Sequence, residues 1–128
     1  MVVLRGIRGA VTVEENSREC IFAAVQQLLK EICQRNALVP EDIGAAIFSA
    51  TEDITAAFPA AGARQLPGFS FVPLFDARQM AVEDALPMCI RVLLLADTEK
   101  TQREMQHVYL GGACRLRPDI TAAQREDG

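Results

Sequence analysis

Only one stretch of this 128-residue chain carries an apolar stripe at helical spacing long enough to cover a sheet, while several runs read as strands. In that stretch Ile21, Val25, Leu28 and Ile32 recur every three or four residues, and Phe22, Leu29 and Cys33 widen the stripe. Asn16, with Glu19 three residues later, marks a helix start, and Asn36 marks its stop. The strand-like runs are residues 2–13, Ile43 to Ala50, Phe69 to Phe75 and Cys89 to Ala96. The last is the most hydrophobic and is expected at the sheet centre, whereas Pro73 assigns its run to an edge or a bulge. Gly6 and Gly9 allow a close approach or a bulge in the first strand. Pro40-Glu41-Asp42 and Pro67-Gly68 read as turns, and Pro59 suits the first position of a short helix running towards Gln65. Thr101 to Gln106 reads as one or two helical turns leading into His107-Val108-Tyr109-Leu110. One long helix cannot cover both faces of a four- or five-stranded sheet, so the other face needs a partner, most simply another copy of the chain. The expected subunit is therefore α/β (α+β), a mixed β-sheet with one long helix and short helices. It forms a single domain over residues 1–128, in which residues 119–128 read as a polar, mobile tail.

Two arginines interrupt these apolar runs, Arg8 in Val2 to Ala10 and Arg91 in Cys89 to Leu95. A guanidinium does not shed its charge, so burying one is costly unless a carboxylate or another anion meets it. The chain is acidic, at net charge −4, yet eleven of its thirteen basic residues are arginine, the type suited to bidentate grips on carboxylates and phosphates. An internal ion pair or an edge-strand arginine facing water is the structural alternative for either one. Other classes of function fit less well. No run approaches a membrane span, and Arg5 and Arg8 interrupt the start before the apolar core of a signal peptide. Cys20, Cys33, Cys89 and Cys114 are scattered without a CxxC pair, and His107 is the sole histidine, which speaks against a metal site and for reduced thiols in the cytoplasm. One tyrosine, no tryptophan and an acidic balance leave no nucleic-acid footprint.

Taken in order, six segments carry a more specific signal. They are Arg5-Gly6-Ile7-Arg8-Gly9-Ala10-Val11-Thr12-Val13-Glu14, Phe48-Ser49-Ala50-Thr51-Glu52-Asp53, Ala57-Phe58-Pro59-Ala60, Cys89-Ile90-Arg91-Val92, His107-Val108-Tyr109-Leu110 and Leu116-Arg117-Pro118-Asp119. Together they resemble the monofunctional, Bacillus-type chorismate mutases (the AroH class) over essentially residues 3–119. The resemblance implies a pseudo-barrel homotrimer with active sites at the subunit interfaces, no cofactor, and conversion of chorismate to prephenate on the route to phenylalanine and tyrosine. That reaction is a [3,3]-sigmatropic rearrangement, in which one C–O bond breaks while one C–C bond forms and no proton moves. The protein must hold a flexible dicarboxylate in its reactive conformer and stabilise charge growing on the ether oxygen, and strand-borne arginines suit both tasks. By resemblance, Arg91 meets the ether oxygen and the enolpyruvyl carboxylate, and Arg8 and Tyr109 hold the side-chain carboxylate. Phe58, Ala60, Arg64 and Leu116 match a wall contributed across the interface, and Arg117 a basic residue at the mouth. His107 is given no catalytic role.

The stretch Val72-Pro73-Leu74-Phe75-Asp76-Ala77-Arg78-Gln79-Met80 aligns with the family segment that binds the ring hydroxyl, which places Phe75, Asp76 and Gln79 among the substrate-binding residues. The family's usual glutamate is Gln79 here, which keeps an acceptor but removes a charge. Asp76 supplies a displaced carboxylate if Ala77-Arg78 forms a turn that lets the two side chains converge; otherwise it pairs with Arg78 or Arg64. Two rival functions share these features: a trimeric small-carboxylate binding or regulatory module with reduced or no turnover, and an imine or enamine deaminase of the trimeric Rid type.

Overall fold

A computed structural model describes residues 1–115 of the chain. Five strands form one sheet: β1 (Val3–Thr12), β2 (Ile43–Ala50), β3 (Leu74–Arg78), β4 (Cys89–Thr98) and β5 (Val108–Leu110). Their order is β3-β2-β4-β1-β5, which puts the most hydrophobic strand at the centre as expected. The outer pairs β2–β3 and β1–β5 are parallel, and β4 runs antiparallel to both neighbours. Two helices complete the described fold, the 19-residue α1 (Arg18–Asn36) and the short α2 (Pro59–Arg64).

The alternation of β1 and β4 divides the sheet into two faces. Ile7 and Val11 on β1, Phe48 on β2, Ile90, Val92 and Leu94 on β4, and Val108 on β5 are buried under α1. Gly9 lets the helix come this close. A Cβ there would lie 2.7 Å from Ile32 Cδ1 and 3.1 Å from Leu28 Cδ1, closer than side chains pack. Gly9 thus serves close approach and not a bulge; the irregularity falls in β2, between Ile43 and Ala45. The opposite face has no helix. There Leu4, Ile47, Leu93 and Phe75 are 37–64% exposed in the single subunit, and the registers align Phe75, Ile47 and Leu93 in one row across the sheet, with Leu4 further along β1.

Two sequence-based expectations, the Asn16 cap and the strand at Phe69, are corrected locally. The N-cap of α1 is Ser17, whose Oγ accepts from the Cys20 N–H at 3.1 Å. Asn16 is drawn away instead, its Oδ1 accepting from the N–H groups of Thr55 and Ala56 and its Nδ2 donating to Thr55 Oγ1. Asn36 is the last helical residue, with Ala37 adopting the left-handed cap at φ 53°. Its buried amide ties α1 to the chain before β5, donating to Gln106 O and accepting from Gln106 N. Residues Phe69 to Val72 are not a strand: Phe69 N–H donates to Leu66 O and Val72 N–H to Phe69 O, so consecutive turns hold them and β3 starts only after Pro73. Pro73, which lacks an N–H, lends its carbonyl to Ala46 N–H at 2.9 Å. Thr101 to Gln106 forms one helical turn, as expected, a 3₁₀ turn over Gln102–Glu104. Among the described residues, no helix is long and apolar enough to cross a membrane.

Candidate active site

The open face carries the arginines. In the register, Arg91 on β4 lies opposite Ala10 on β1, and Ala10 lies opposite Tyr109 on β5, so these three form one row across neighbouring strands. Arg8, two residues before Ala10, points to the same face, opposite Leu93. The main-chain N–H of Arg8 donates to His107 Nδ1 at 2.9 Å. His107 therefore secures the approach of β5 to β1, the strand pairing that sets Tyr109 beside Ala10.

Gln79 enters the same face from the far side. Its N–H donates to Ala50 O at 3.0 Å, extending the β2–β3 pairing by one residue. Ala77 and Arg78 continue the strand and form no turn, so Asp76 and Gln79 face opposite sides of the sheet. The convergence of these two residues within one subunit is thus removed. A small apolar floor of Ala10, Cys89, Tyr109 and Ala113, with Leu86 packed against it, underlies the row. Burial pushes the Cys89 thiol above its ordinary pKa, with the neighbouring Arg91 pulling the other way.

Among the described residues, three buried side-chain polar atoms lack a partner: Arg91 Nε, Tyr109 OH and Gln79 Oε1. All three belong to residues singled out in the sequence. A buried polar group left unsatisfied costs about 1–3 kcal/mol, so three such groups on one face describe a surface built to receive polar atoms. Their chemistry is complementary to an oxygen-rich anion: a guanidinium donor, a phenol that donates or accepts, and an amide oxygen that accepts from a hydroxyl. For Tyr109, a hydroxyl facing solvent is excluded, because the residue is only 7% exposed and its oxygen is covered.

The remaining candidates gather elsewhere. Phe58 precedes α2 and is 72% exposed, Ala60 is buried in its first turn, and Arg64 ends it. Asp76 on β3 lies beside Phe48 in the register, on the helix-covered face, and its Oδ1 accepts from Ala60 N–H at 3.0 Å. Burial raises the Asp76 pKa above the ordinary aspartate value, and the Ala60 hydrogen bond and the Arg64 charge partly offset this. Its carboxylate is therefore engaged in holding α2 to the edge strand. Arg78 pairs at 3.6 Å with Glu52, not with Asp76. Phe75, also on β3, points to the open face. Leu116 and Arg117 lie outside the described residues, as does the tail over 119–128.

The two groups of candidates lie apart among the described residues. A cleft of about 630 Å³ is lined by Arg18, Phe22, Glu52, Phe58, Asp76 and Arg78 among others, and by none of Arg8, Arg91, Tyr109 or Gln79. Asp76 holds α2 beside β3, an edge of the sheet, and the β4 strand of Arg91 lies two strand spacings, about 10 Å, from that edge. One subunit thus presents two separate groups of candidate residues, on an arginine-bearing face and at the Phe58-bearing α2 edge. The sequence reading missed the floor beneath Arg91. Cys89 reads in the sequence only as one of four scattered, reduced thiols, and the β1–β4–β5 pairing reveals Ala10 between Arg91 and Tyr109.

The type I chorismate mutase family model matches residues 4–120 of the chain. A curated relative named chorismate mutase AroH from Thermus thermophilus is 48% identical over 123 residues, covering 95% of this chain and all of that protein. The AroH chorismate mutase of Bacillus subtilis is 39% identical over 126 residues, covering 98% of this chain and 99% of that one. A solved chorismate mutase from Clostridium thermocellum superposes with a TM-score of 0.84 at 41% identity, covering 87% of this chain and 98% of that structure.

Proposed function

The chain belongs to the type I chorismate mutase family, and from that premise we propose that its active sites form between the subunits of a homotrimer, each joining the open sheet face of one copy to the α2 edge of the next. As a chorismate mutase, it is an isomerase of aromatic amino acid biosynthesis that converts chorismate to prephenate. The observation that carries the assembly is the division of the site: the buried, unpartnered Arg91 Nε, Tyr109 OH and Gln79 Oε1 lie on a helix-free face, apart from Phe58 and Arg64. The same face exposes Leu4, Ile47, Leu93 and Phe75, apolar surface that a second copy covers.

In this assembly Arg91 meets the ether oxygen and the enolpyruvyl carboxylate. As the C–O bond lengthens, negative charge grows on that oxygen, and a guanidinium already fixed on the central strand stabilises it without reorganising. The apolar floor of Ala10, Cys89 and Ala113 keeps water from screening that charge. Arg8 and Tyr109 hold the side-chain carboxylate, so the two ends of the substrate are drawn into the compact conformer in which the new C–C bond forms. Gln79 accepts the ring hydroxyl through Oε1. Phe58, Ala60, Arg64, Phe75, Leu116 and Arg117 supply the wall and mouth from the neighbouring copy and the chain end, and Asp76 contributes by fixing α2. Electrons rearrange within one molecule, so no proton donor or cofactor is required. The protein works as a single domain in the cytoplasm, a reading supported by four free cysteines.

Loss of chorismate absorbance with purified protein, with prephenate identified through its acid conversion to phenylpyruvate, tests the function. Turnover in a trimeric species is expected. A folded trimer that binds chorismate without converting it would instead favour the carboxylate-binding module.

A further inference from the structure

The end of β4 that delivers Arg91 is held by residues the mechanism does not use. Met88, immediately before the strand, has the left-handed φ of 50°, a conformation L side chains rarely adopt. Thr51 and Asp53, just past the end of β2, grip this point from the β2 side. Asp53 Oδ2 accepts from Met88 N–H at 3.0 Å, and Asp53 Oδ1 accepts from the Thr51 hydroxyl. Thr51 Oγ1 in turn accepts from Cys89 N–H at 3.1 Å, and Thr51 N–H donates to Cys89 O at 3.1 Å. On the β1 side, Met88 O accepts from Val13 N–H at 2.8 Å. The main-chain polar groups of residues 88 and 89 are thus tied to both flanking chains just where the backbone takes an unfavourable turn.

The consequence reaches the site in both directions along the chain. Arg91 follows Met88 by three residues, and Leu86, which packs on the floor beside Cys89 and Tyr109, precedes it by two. Thr51 and Asp53 also line a cavity of about 170 Å³ together with Gln79 and Leu86. If Met88 relaxed to a negative φ, the chain direction entering β4 would change, lifting Leu86 from the floor and turning the strand end that aims Arg91.

We propose that Asp53 is a positioning residue for the rearrangement, acting through Thr51 and the left-handed Met88 to hold the start of β4 and so the guanidinium of Arg91. This rests on the reading of Arg91 as the group that meets the ether oxygen. A guanidinium that is misaimed still attracts a dianionic substrate but serves the transition state poorly, so the loss falls on kcat more than on KM.

The test compares Asp53→Ala and Asp53→Asn in steady-state turnover of chorismate, each in the parent and in a Met88→Gly background, with Arg91→Ala alongside. Asp53→Ala is expected to lower kcat at least tenfold with KM within threefold. Asp53→Asn keeps an acceptor for Met88 N–H and should stay within threefold of the parent. Glycine takes a positive φ freely, so the cost of Asp53→Ala should shrink by threefold or more in the Met88→Gly background, a coupling that general destabilisation would not produce. A kcat within threefold of the parent for Asp53→Ala, equal losses for the alanine and asparagine variants, or an undiminished loss beside Met88→Gly would each overturn the proposal. Should Asp53→Ala fail to fold, Thr51→Val removes the link to Cys89 and is read the same way: a kcat loss at unchanged KM supports the clamp, and unchanged kcat overturns it. Normal turnover in Arg91→Ala would sink the active-site reading itself, whereas an inactive Arg91→Ala beside a fully active Asp53→Ala would sink the clamp alone.

Discussion

Beneath α1 the sheet presents Ile7, Val11, Phe48, Ile90, Val92 and Leu94, all buried within the subunit; on its other face the same strands present Leu4, Ile47 and Leu93 exposed, with Arg8 and Arg91 among them. The first face is finished when one chain folds, since its apolar surface meets a helix of the same chain. The second leaves apolar surface in water and three buried side-chain polar atoms without partners. Two such faces on shared strands teach that folding and function are separable here. Mutations under the helix should act on stability, and mutations on the open face should act on assembly and chemistry.

The largest effect that sharpens this contrast falls on Arg91. Removing one preorganised donor costs about 3–4 kcal/mol, or roughly a hundred- to thousand-fold in rate. Arg91→Ala should lose at least that much in kcat/KM while its thermal unfolding stays near the parent's. Arg91→Lys should also fail, because an ammonium is a point charge and cannot span two oxygens as a guanidinium does; near-normal turnover in this variant would refute the assigned role.

Next come paired substitutions on the two faces. Ile32→Ala, which empties a fully buried position under β1, should destabilise by about 2–5 kcal/mol. Leu93→Glu on the open face should leave the circular dichroism of the subunit intact but abolish its trimer in light scattering, and turnover with it. If Leu93→Glu remained a fully active trimer, the open face would not be the interface.

Asp76 and Gln79 test a finer distinction. Gln79→Ala removes a hydrogen bond to a neutral group, worth about 0.5–1.5 kcal/mol, and should slow turnover by a few-fold or more. Asp76→Asn can still accept from Ala60 N–H and should change turnover less, the reverse of the order expected if Asp76 replaced the missing family carboxylate. The pH dependence has a definite sign. Burial raises the Asp76 pKa in the folded state, so the folded chain binds this proton more tightly than the unfolded chain. The stability it contributes is full below the ordinary aspartate value and is lost as pH rises through the folded value. Asp76→Asn should therefore gain stability relative to the parent as pH rises through that window, and a pH-independent difference in denaturant midpoints would contradict the assignment. The smallest effect is expected at Ser17→Ala, about 1 kcal/mol from the lost α1 cap with unchanged kcat.

Much of this architecture was legible because local signals and tertiary contacts agree. The β2 run Ile43–Ala50, the proline-led α2 and the central position of β4 follow from patterns that burial reinforces. The misses arise where two local signals compete and a distant partner decides. Asn16 and Ser17 both suit a cap, and Thr55 and Ala56, some forty residues away, take up Asn16. Phe69–Val72 has strand composition, but Pro73 and the turn bonds to Leu66 and Phe69 displace the pairing onto Leu74–Arg78. The arginines were visible as charges in apolar runs, yet the separation of Arg91 from Phe58 was not. That depends on strand order, which no single segment encodes. Asp76 shows the same limit, since its direction follows from Ala77 and Arg78 continuing the strand.

The proposed sharing of each site between subunits is tested most directly by mixing two variants, each expected to be inactive. Arg91→Ala damages the open face, and a Phe58→Asp, Arg64→Ala double variant damages the α2 edge. Co-refolding them, with native mass spectrometry to confirm mixed trimers, places an intact face beside an intact edge at some interfaces. Turnover well above the sum of the separate variants is expected. Mixed trimers that remain as inactive as their parents would show that each site is contained within one subunit.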